Sequence, residues 1–335
     1  MPVTLAQAKL NATDDVDVAI IDEFQKSNDI LTRITFDDVV SGAGNGATLT
    51  YAYTRQITQR GAAFRAINSE YTPTEATKQR YSVDLKPLGG SFQVDRVLNR
   101  IAQAAETAFQ MRELLKAASA HFSDQVINGD TAVDANGFDG LSKILTGSTT
   151  EYLPLNNGVA TGYLDFTTID SKAKALALVG HIDAWLGTLD GTPDVIYGNR
   201  KTLALFKQLA AWADLFVGAT DSFGRPVVTY NGIPLVDLKT KAGSNTDVIG
   251  TVSRDTDGAG AGGPITGLSD LYAVRYALDG FHGVSMAGGP LVQSWDPDFT
   301  TAGAVKTGEA ELGPAAVALK KTKAAGVLRN IKVAA

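Results

Sequence analysis

Three histidines, a glycine-rich loop and a cluster of acidic turn residues are most of what this sequence offers to chemistry. Cysteine is absent, which rules out a disulfide framework and any thiolate metal site. His121, His181 and His282 have no metal-ligand spacing, and none sits in an H-E-x-x-H motif. His121 and His181 fall in helical stretches and read as ordinary helix residues. A serine or cysteine triad needs its members to meet in space, and no G-x-S-x-G elbow is present to nominate one. Gly258-Ala259-Gly260-Ala261-Gly262-Gly263 has the form G-x-G-x-x-G. A dinucleotide site needs that turn to open a helix whose N-terminus holds the pyrophosphate. Pro264, Thr266 and Gly267 follow instead, so the stretch reads as a surface loop. Asp134-Ala135-Asn136-Gly137-Phe138-Asp139 looks like a calcium loop, but its glycine is fourth where an EF-hand needs it sixth. A turn is the reading there. There is no G-K-[ST] phosphate loop.

With no constellation of reactive groups, the composition decides more. The 335 residues suffice for one large domain or two modest ones, and 44% hydrophobic content is ordinary for a globular core. A formal charge of -6 argues against a dedicated nucleic-acid binder, which would carry a basic stripe. Met1-Pro2-Val3-Thr4 does not open a secretory signal, and no apolar run of about 18 residues exists to span a membrane. Lack of cysteine fits a reducing cytoplasm. The charge is uneven: residues 1–47 carry three basic and eight acidic side chains, 48–93 six basic and three acidic, and 301–335 six basic and two acidic. Neighbouring segments of opposite sign suggest contact within or between chains.

The elements that must position these residues are unusual in their mechanics. Thr13 is a candidate N-cap, followed by Asp14 and Asp15 and then by Val18, Ile21 and Phe24 on one side. Gly42, Gly44 and Gly46 break the chain after it. A lone short helix of this kind needs something to dock on. Two strands follow, near Thr48–Ile57 and near Arg80–Lys86. Leu49, Tyr51 and Tyr53 alternate with threonines in the first, and Tyr81, Val83 and Leu85 with polar residues in the second. The roughly twenty residues between them are long for a hairpin loop in a compact domain, which points to a functional or partner-ordered tip.

The strongest helical pattern runs over 94–128, with Val97, Ile101, Ala104, Ala108, Met111, Leu115, Ala118, Phe122 and Val126 recurring every three or four positions and Gly129 beyond. It predicts a strut of roughly 50 Å. A second α/β unit is predicted over 171–300: a helix near 171–189, a strand at Asp194–Tyr197, a helix capped by Asn199 and carrying Leu203, Phe206, Leu209 and Trp212, a hairpin at Val227–Val236 with an Asn231-Gly232 turn, and a strand at Leu271–Tyr276. Val317, Leu319, Val327, Leu328 and Ile331 supply apolar positions in 303–335. No internal repeat is present.

An arm, a long hairpin, a strut helix and an α/β unit, in that order, resemble an HK97-like major capsid protein. The run Tyr81-Ser82-Val83-Asp84-Leu85-Lys86-Pro87-Leu88-Gly89-Gly90-Ser91-Phe92-Gln93-Val94-Asp95-Arg96-Val97-Leu98 resembles that family's E-loop return strand entering its spine helix. Asn136-Gly137-Phe138-Asp139-Gly140-Leu141 is similar to its F-x-G-L turn. Asp194 to Leu203 and Gly224 to Val236 look like its axial-domain strand, helix and hairpin. The resemblance is spread over nearly the whole chain, and tailed-phage capsid proteins are the nearest group.

The resemblance implies an α+β fold with an N-arm over 1–47, an E-loop over 48–93, a spine helix and P-domain over 94–170, an A-domain over 171–300 and a return to the P-domain over 301–335. It implies no enzyme activity, cofactor or metal. Expected partners are further copies of the chain in hexamers and pentamers, a separate scaffolding protein, a portal at one vertex, room for a decoration protein, and packaged DNA touched through phosphates at residues such as Arg100 and Lys116. The location implied is a virion capsid assembled in the host cytoplasm, with no membrane partner. Phe24, Arg55, Arg60, Arg65, Glu70, Lys78 and Arg80 are the intersubunit-contact candidates. The tip, 58–77, contains no lysine, so no lysine-based covalent crosslink is expected there. An encapsulin-type compartment enclosing protein cargo is the alternative with the same fold. An α/β nucleotide-binding enzyme built on 171–300 is the third reading.

Overall fold

The computed structural model describes residues 26, 29–41, 48–101, 105–154, 162–214, 218–220, 226–256, 263–287 and 290–334. The Thr13-capped helix with Phe24, the glycines at 42, 44 and 46, and residues 257–262 of the glycine-rich loop lie outside these.

The chain opens with helix α1 (Asp29–Arg33) and strand β1 (Phe36–Ser41), then the hairpin β2 (Thr50–Gln56) and β3 (Lys78–Asp84). Strand β4 (Lys86–Asp95) leads into helices α2 (Arg96–Ile101), α3 (Ala105–Asn128) and α4 (Leu141–Ile144), and the short strands β5 (Glu151–Tyr152) and β6 (Leu164–Asp165). Next come α5 (Lys172–Leu186), β7 (Val195–Gly198), α6 (Arg200–Trp212), β8 (Gly218–Thr220), β9 (Pro226–Tyr230), β10 (Ile233–Asp237) and β11 (Val252–Arg254). Long strands β12 (Ile265–Val274), β13 (Phe281–Ala287), β14 (Val292–Trp295), β15 (Val305–Leu319) and β16 (Ala325–Lys332) complete it.

A nine-stranded sheet runs β5-β16-β12-β7-β10-β9-β8, with β11 on β12 and β6 on β16. Both of its faces are buried, and period-two alternation sorts the side chains. Ile196, Leu271, Ala273 and Leu328 join one core with Ala175, Ile182 and Trp185 of α5 and Phe206 and Leu209 of α6. Val195, Tyr197, Tyr272, Val274 and Val327 join the other, with Phe122, Val126 and Ile127 of α3 and Val317 and Leu319 of β15. A five-stranded sheet runs β1-β13-β15-β14 and adds β4 along β15. The hairpin β2–β3 stands as a separate two-stranded sheet.

Local signals hold where expected. The Asn199 side chain accepts from the Lys201 backbone N–H at 2.8 Å and caps α6. Asn231 and Gly232 take φ of 50° and 82°, the left-handed pair that a type I′ turn demands. Asp134 closes an Asx turn on the Asn136 N–H.

The long helix differs from its expected bounds. Residues up to Asp95 belong to β4, where Val94 pairs with Lys306 and is fully buried. The Asp95 side chain then accepts the Val97 N–H at 2.7 Å and starts α2. Pairing with a strand some 200 residues away thus overrides local helical pattern at 93–95. Helix α3 itself has 24 residues, about 36 Å at 1.5 Å per residue. Val97, Leu115, Leu49 and Trp212, expected on apolar faces, are exposed.

Candidate assembly interface

The hairpin is fastened to the body only at its root. On β2 every second side chain turns inward: Tyr51 is buried and Tyr53 is half-buried. The Tyr53 hydroxyl donates to the Leu319 carbonyl at 2.8 Å. Arg55 donates from Nε to the Lys320 carbonyl at 2.9 Å and from Nη2 to that of Leu319 at 2.6 Å. These acceptors lie where β15 ends, so the guanidinium, together with the Tyr53 hydroxyl on Leu319, satisfies carbonyls at the end of the strand. Across the hairpin the Tyr53 and Tyr81 rings stack at 5.7 Å. Burial pushes the Tyr53 hydroxyl pKa up, partly offset by the Arg55 charge. On the solvent side Thr50 donates to Asp84 at 2.7 Å.

Beyond the root, residues 57–77 form an extended tip. Its neck closes through Ile57 N–H to the Thr77 carbonyl at 2.8 Å and a Thr58–Thr77 hydroxyl contact at 2.7 Å. Asn68 takes φ of 68° at the turn, and Arg65 folds back over the Tyr71 ring at 5.3 Å. Among the described residues none covers this tip: Phe64 is 107% and Ile67 91% exposed.

A second surface is open in the complementary sense. Strands β4, β15 and β14 pack on α3 with one face, where a Cβ at Gly90 would stand 2.7 Å from Leu114 Cδ1. On the other face cross-strand rows run Ser91–Glu309–Trp295 and Gly89–Glu311–Gln293. Trp295 and Glu309 are exposed and Glu311 half-buried along a shallow groove of about 260 Å³ that no basic side chain lines.

The sequence-derived contact candidates divide accordingly. Arg55 is engaged within its own chain at the root. Arg60, Arg65 and Glu70 lie on the tip, and Lys78 and Arg80 on β3 opposite Gln56 and Thr54; these five are exposed. Phe24 lies outside the described residues. Trp295, Glu309 and Glu311 carry no signal in the sequence, because only the register of β14 on β15 brings them side by side.

Underneath, the body is tied by buried charge. Arg254 grips Asp270 with both terminal nitrogens, at 2.6 and 2.7 Å. Arg329 reaches Asp270 at 3.3 Å, pairs with Glu151, and donates to the Ser142 carbonyl at 2.8 Å and Thr146 at 3.0 Å. The network joins α4, β5, β11, β12 and β16. Burial and the Asp270 charge push the Tyr272 hydroxyl up to about 12.

No reactive cluster competes with these surfaces. Among the described residues no three His, Asp or Glu side chains gather in a way that could hold a metal. The histidines stay apart: His121 lies in α3, His181 meets the Tyr152 hydroxyl at 2.8 Å, and His282 is buried in β13. No helix of the described residues is long and apolar enough to cross a membrane.

No protein-family model matches the chain, and no curated protein matches its sequence. Solved structures do match, over nearly full length. The encapsulin of the holo-SrpI complex from Synechococcus elongatus PCC 7942 superposes with a TM-score of 0.61 at 14% identity, covering 99% of this chain and 97% of the other. The capsid of an empty GTA particle gives 0.54 at 10%, covering 98% of each chain. The capsid of Myoviridae phage XM1 gives 0.53 at 12%, covering 98% and 99%. These likenesses over nearly the whole of each chain show that the protein has the HK97-like fold of capsid and encapsulin shells.

Proposed function

We propose that this chain is the major capsid protein of a tailed DNA phage, assembling as hexamers and pentamers into an icosahedral shell. The observation that carries the reading is the bare hairpin tip. A protruding tip with Phe64 and Ile67 in water gains nothing for a lone subunit, and burying them on a neighbour stabilises by about 1.5–3 kcal/mol per side chain. The Trp295–Glu309–Glu311 face of an adjacent copy fits as its seat. It offers an indole and two carboxylates to a tip whose outgoing limb carries Arg60 and Arg65, a pairing of opposite charge. Lys78 and Arg80 extend the basic side of the hairpin, and Glu70 and Phe24 remain further contact candidates. Arg55 contributes by holding the root. In this reading the arm covers 1–47, the E-loop 48–93, the spine and P-domain 94–170, the A-domain 171–300 and the C-terminal return 301–335. In this reading the chain is not an enzyme, a separate scaffolding protein and a portal complete the shell, a decoration protein has room outside, and Arg100 and Lys116 are candidates for contact with a neighbouring subunit or with packaged DNA. Assembly takes place in the host cytoplasm.

Electron microscopy of the purified protein, alone and co-expressed with its neighbouring genes, tests this. Closed particles holding nuclease-protected DNA are expected. A discrete species of about 35 kDa under every assembly condition overturns it.

The larger TM-score to an encapsulin, 0.61, favours a second reading, a shell that encloses protein. Particles that purify with a stoichiometric protein and no DNA would establish that reading instead.

A further inference from the structure

The root of the hairpin contains a group that the shell reading does not use. His282 of β13 is completely buried, and neither ring nitrogen makes a well-formed hydrogen bond among the described residues, the Gly280 backbone giving only weak support. A buried imidazole without well-formed partners is costly, and such exceptions call for an explanation. Its position supplies one. The ring meets Tyr51 of β2 edge-on at 6.0 Å, at the point where the hairpin leaves the body.

The charged and titratable groups around it are few. Tyr51 faces it from β2, Asp37 from β1, and Lys320 from the segment after β15. Lys320 sits 3.7 Å from Asp37 and 5.5 Å from the Tyr51 ring centroid. Asp37, the carboxylate that acts on His282 among the described residues, is therefore already shared with a lysine. An imidazolium here would be desolvated and would stand beside a second cation. Burial first, then Lys320, holds the His282 pKa below the ordinary histidine value, against weaker support for the proton from the Gly280 backbone and Asp37. The hairpin also has space to move. A groove of about 520 Å³ lies between β3 and the turn over residues 131–144, lined by Tyr81, Val83, Phe138 and Ile144.

We propose that His282 is an acid-sensitive latch: neutral, it seats Tyr51 and the hairpin root; protonated, it releases them. The sign follows from linkage. With the root open, His282 titrates near its ordinary value of about 6.5; closed, it titrates lower. Closure is fully favoured above about pH 6.5, and each unit of pH below that raises the open population about tenfold until the closed-state value is reached. Protein in the shell is not required, so this inference stands or falls apart from the assembly reading.

Hydrogen exchange on the full, unassembled chain tests it, with amide protection corrected for intrinsic rate and followed from about pH 7.5 to about pH 5. Amides of β2 are expected to lose protection by about tenfold per unit below pH 6.5 while those of β12 and β16 hold. His282→Phe and His282→Gln should make the β2 profile level. A level wild-type profile, an equal loss in β12 and β16, or an unchanged slope in the folded variants overturns the latch. Should neither variant fold, Lys320→Met decides: relief of the like charge predicts a smaller acid loss than wild type, and an equal loss rejects the idea.

Discussion

The Arg55 guanidinium carbon lies 4.4 Å from the centroid of the Tyr81 ring while its nitrogens hold the Leu319 and Lys320 carbonyls. One side chain thus joins both strands of the hairpin to the end of the longest strand of the body. Arg55→Ala removes two charge-assisted hydrogen bonds and the cation–π contact with Tyr81, and leaves the Leu319 carbonyl to the Tyr53 hydroxyl alone. A loss of about 2–3 kcal/mol is expected in denaturant unfolding, or a local loss of exchange protection in β2 and β3 of the same size. Arg55→Lys keeps the charge without the fork and should recover less than half of it.

Truncating the tip should separate stability from assembly. Phe64→Ser with Ile67→Ser touches nothing in the isolated subunit, so unfolding should shift by no more than about 0.5 kcal/mol. Under assembly conditions, sedimentation should nonetheless show particles replaced by free subunits. Particles in wild-type yield would remove the tip from the interface.

Charge reversal addresses the seat. Glu309→Arg with Glu311→Arg should block particle formation, and adding Arg60→Glu and Arg65→Glu should restore it, since the pairing is re-created with its sign exchanged. Failure of the fourfold variant to recover, in a background where wild type assembles, separates an error about the seat from an error about the shell.

Arg329 makes the strongest case for destabilisation. Arg329→Met leaves the buried Glu151 without its cation and Asp270 with Arg254 alone, and about 3–5 kcal/mol should be lost in equilibrium unfolding. Replacing the whole network with apolar residues should cost far less, because no lone charge is left behind.

Much of this fold was readable where the signal is local. Asn199, Asn231 and Gly232 act through their own backbone and the next few residues, so their elements fall within a residue or two of expectation. Tyr51 and Tyr53 turn inward as their alternation predicts. The end of β4 was hidden because Val94 is buried by β15, which local pattern cannot report. Arg55 was legible as a charge but not as a clamp, since its acceptors are backbone carbonyls that any sequence would supply. The Arg254–Asp270–Arg329–Glu151 network has no spacing signature: its members are drawn from positions 151 to 329 and meet only through sheet order. Trp295 and Glu309 likewise become neighbours only through register.

Strand β16 lies between β12 on one side and the short β5 and β6 on the other, and β5 and β6 begin more than 150 positions earlier. Closing the nine-stranded sheet therefore waits on contacts of very long sequence separation, which form slowly. Until β16 inserts, the inner edge of β12 stays unpaired, and both apolar cores lack Val327 or Leu328. A subunit interrupted before residue 325 would carry a finished-looking hairpin on an unfinished body. The Leu319 and Lys320 carbonyls that hold Arg55 come just before β16, so in such a chain the hairpin root would be fastened to a frayed end.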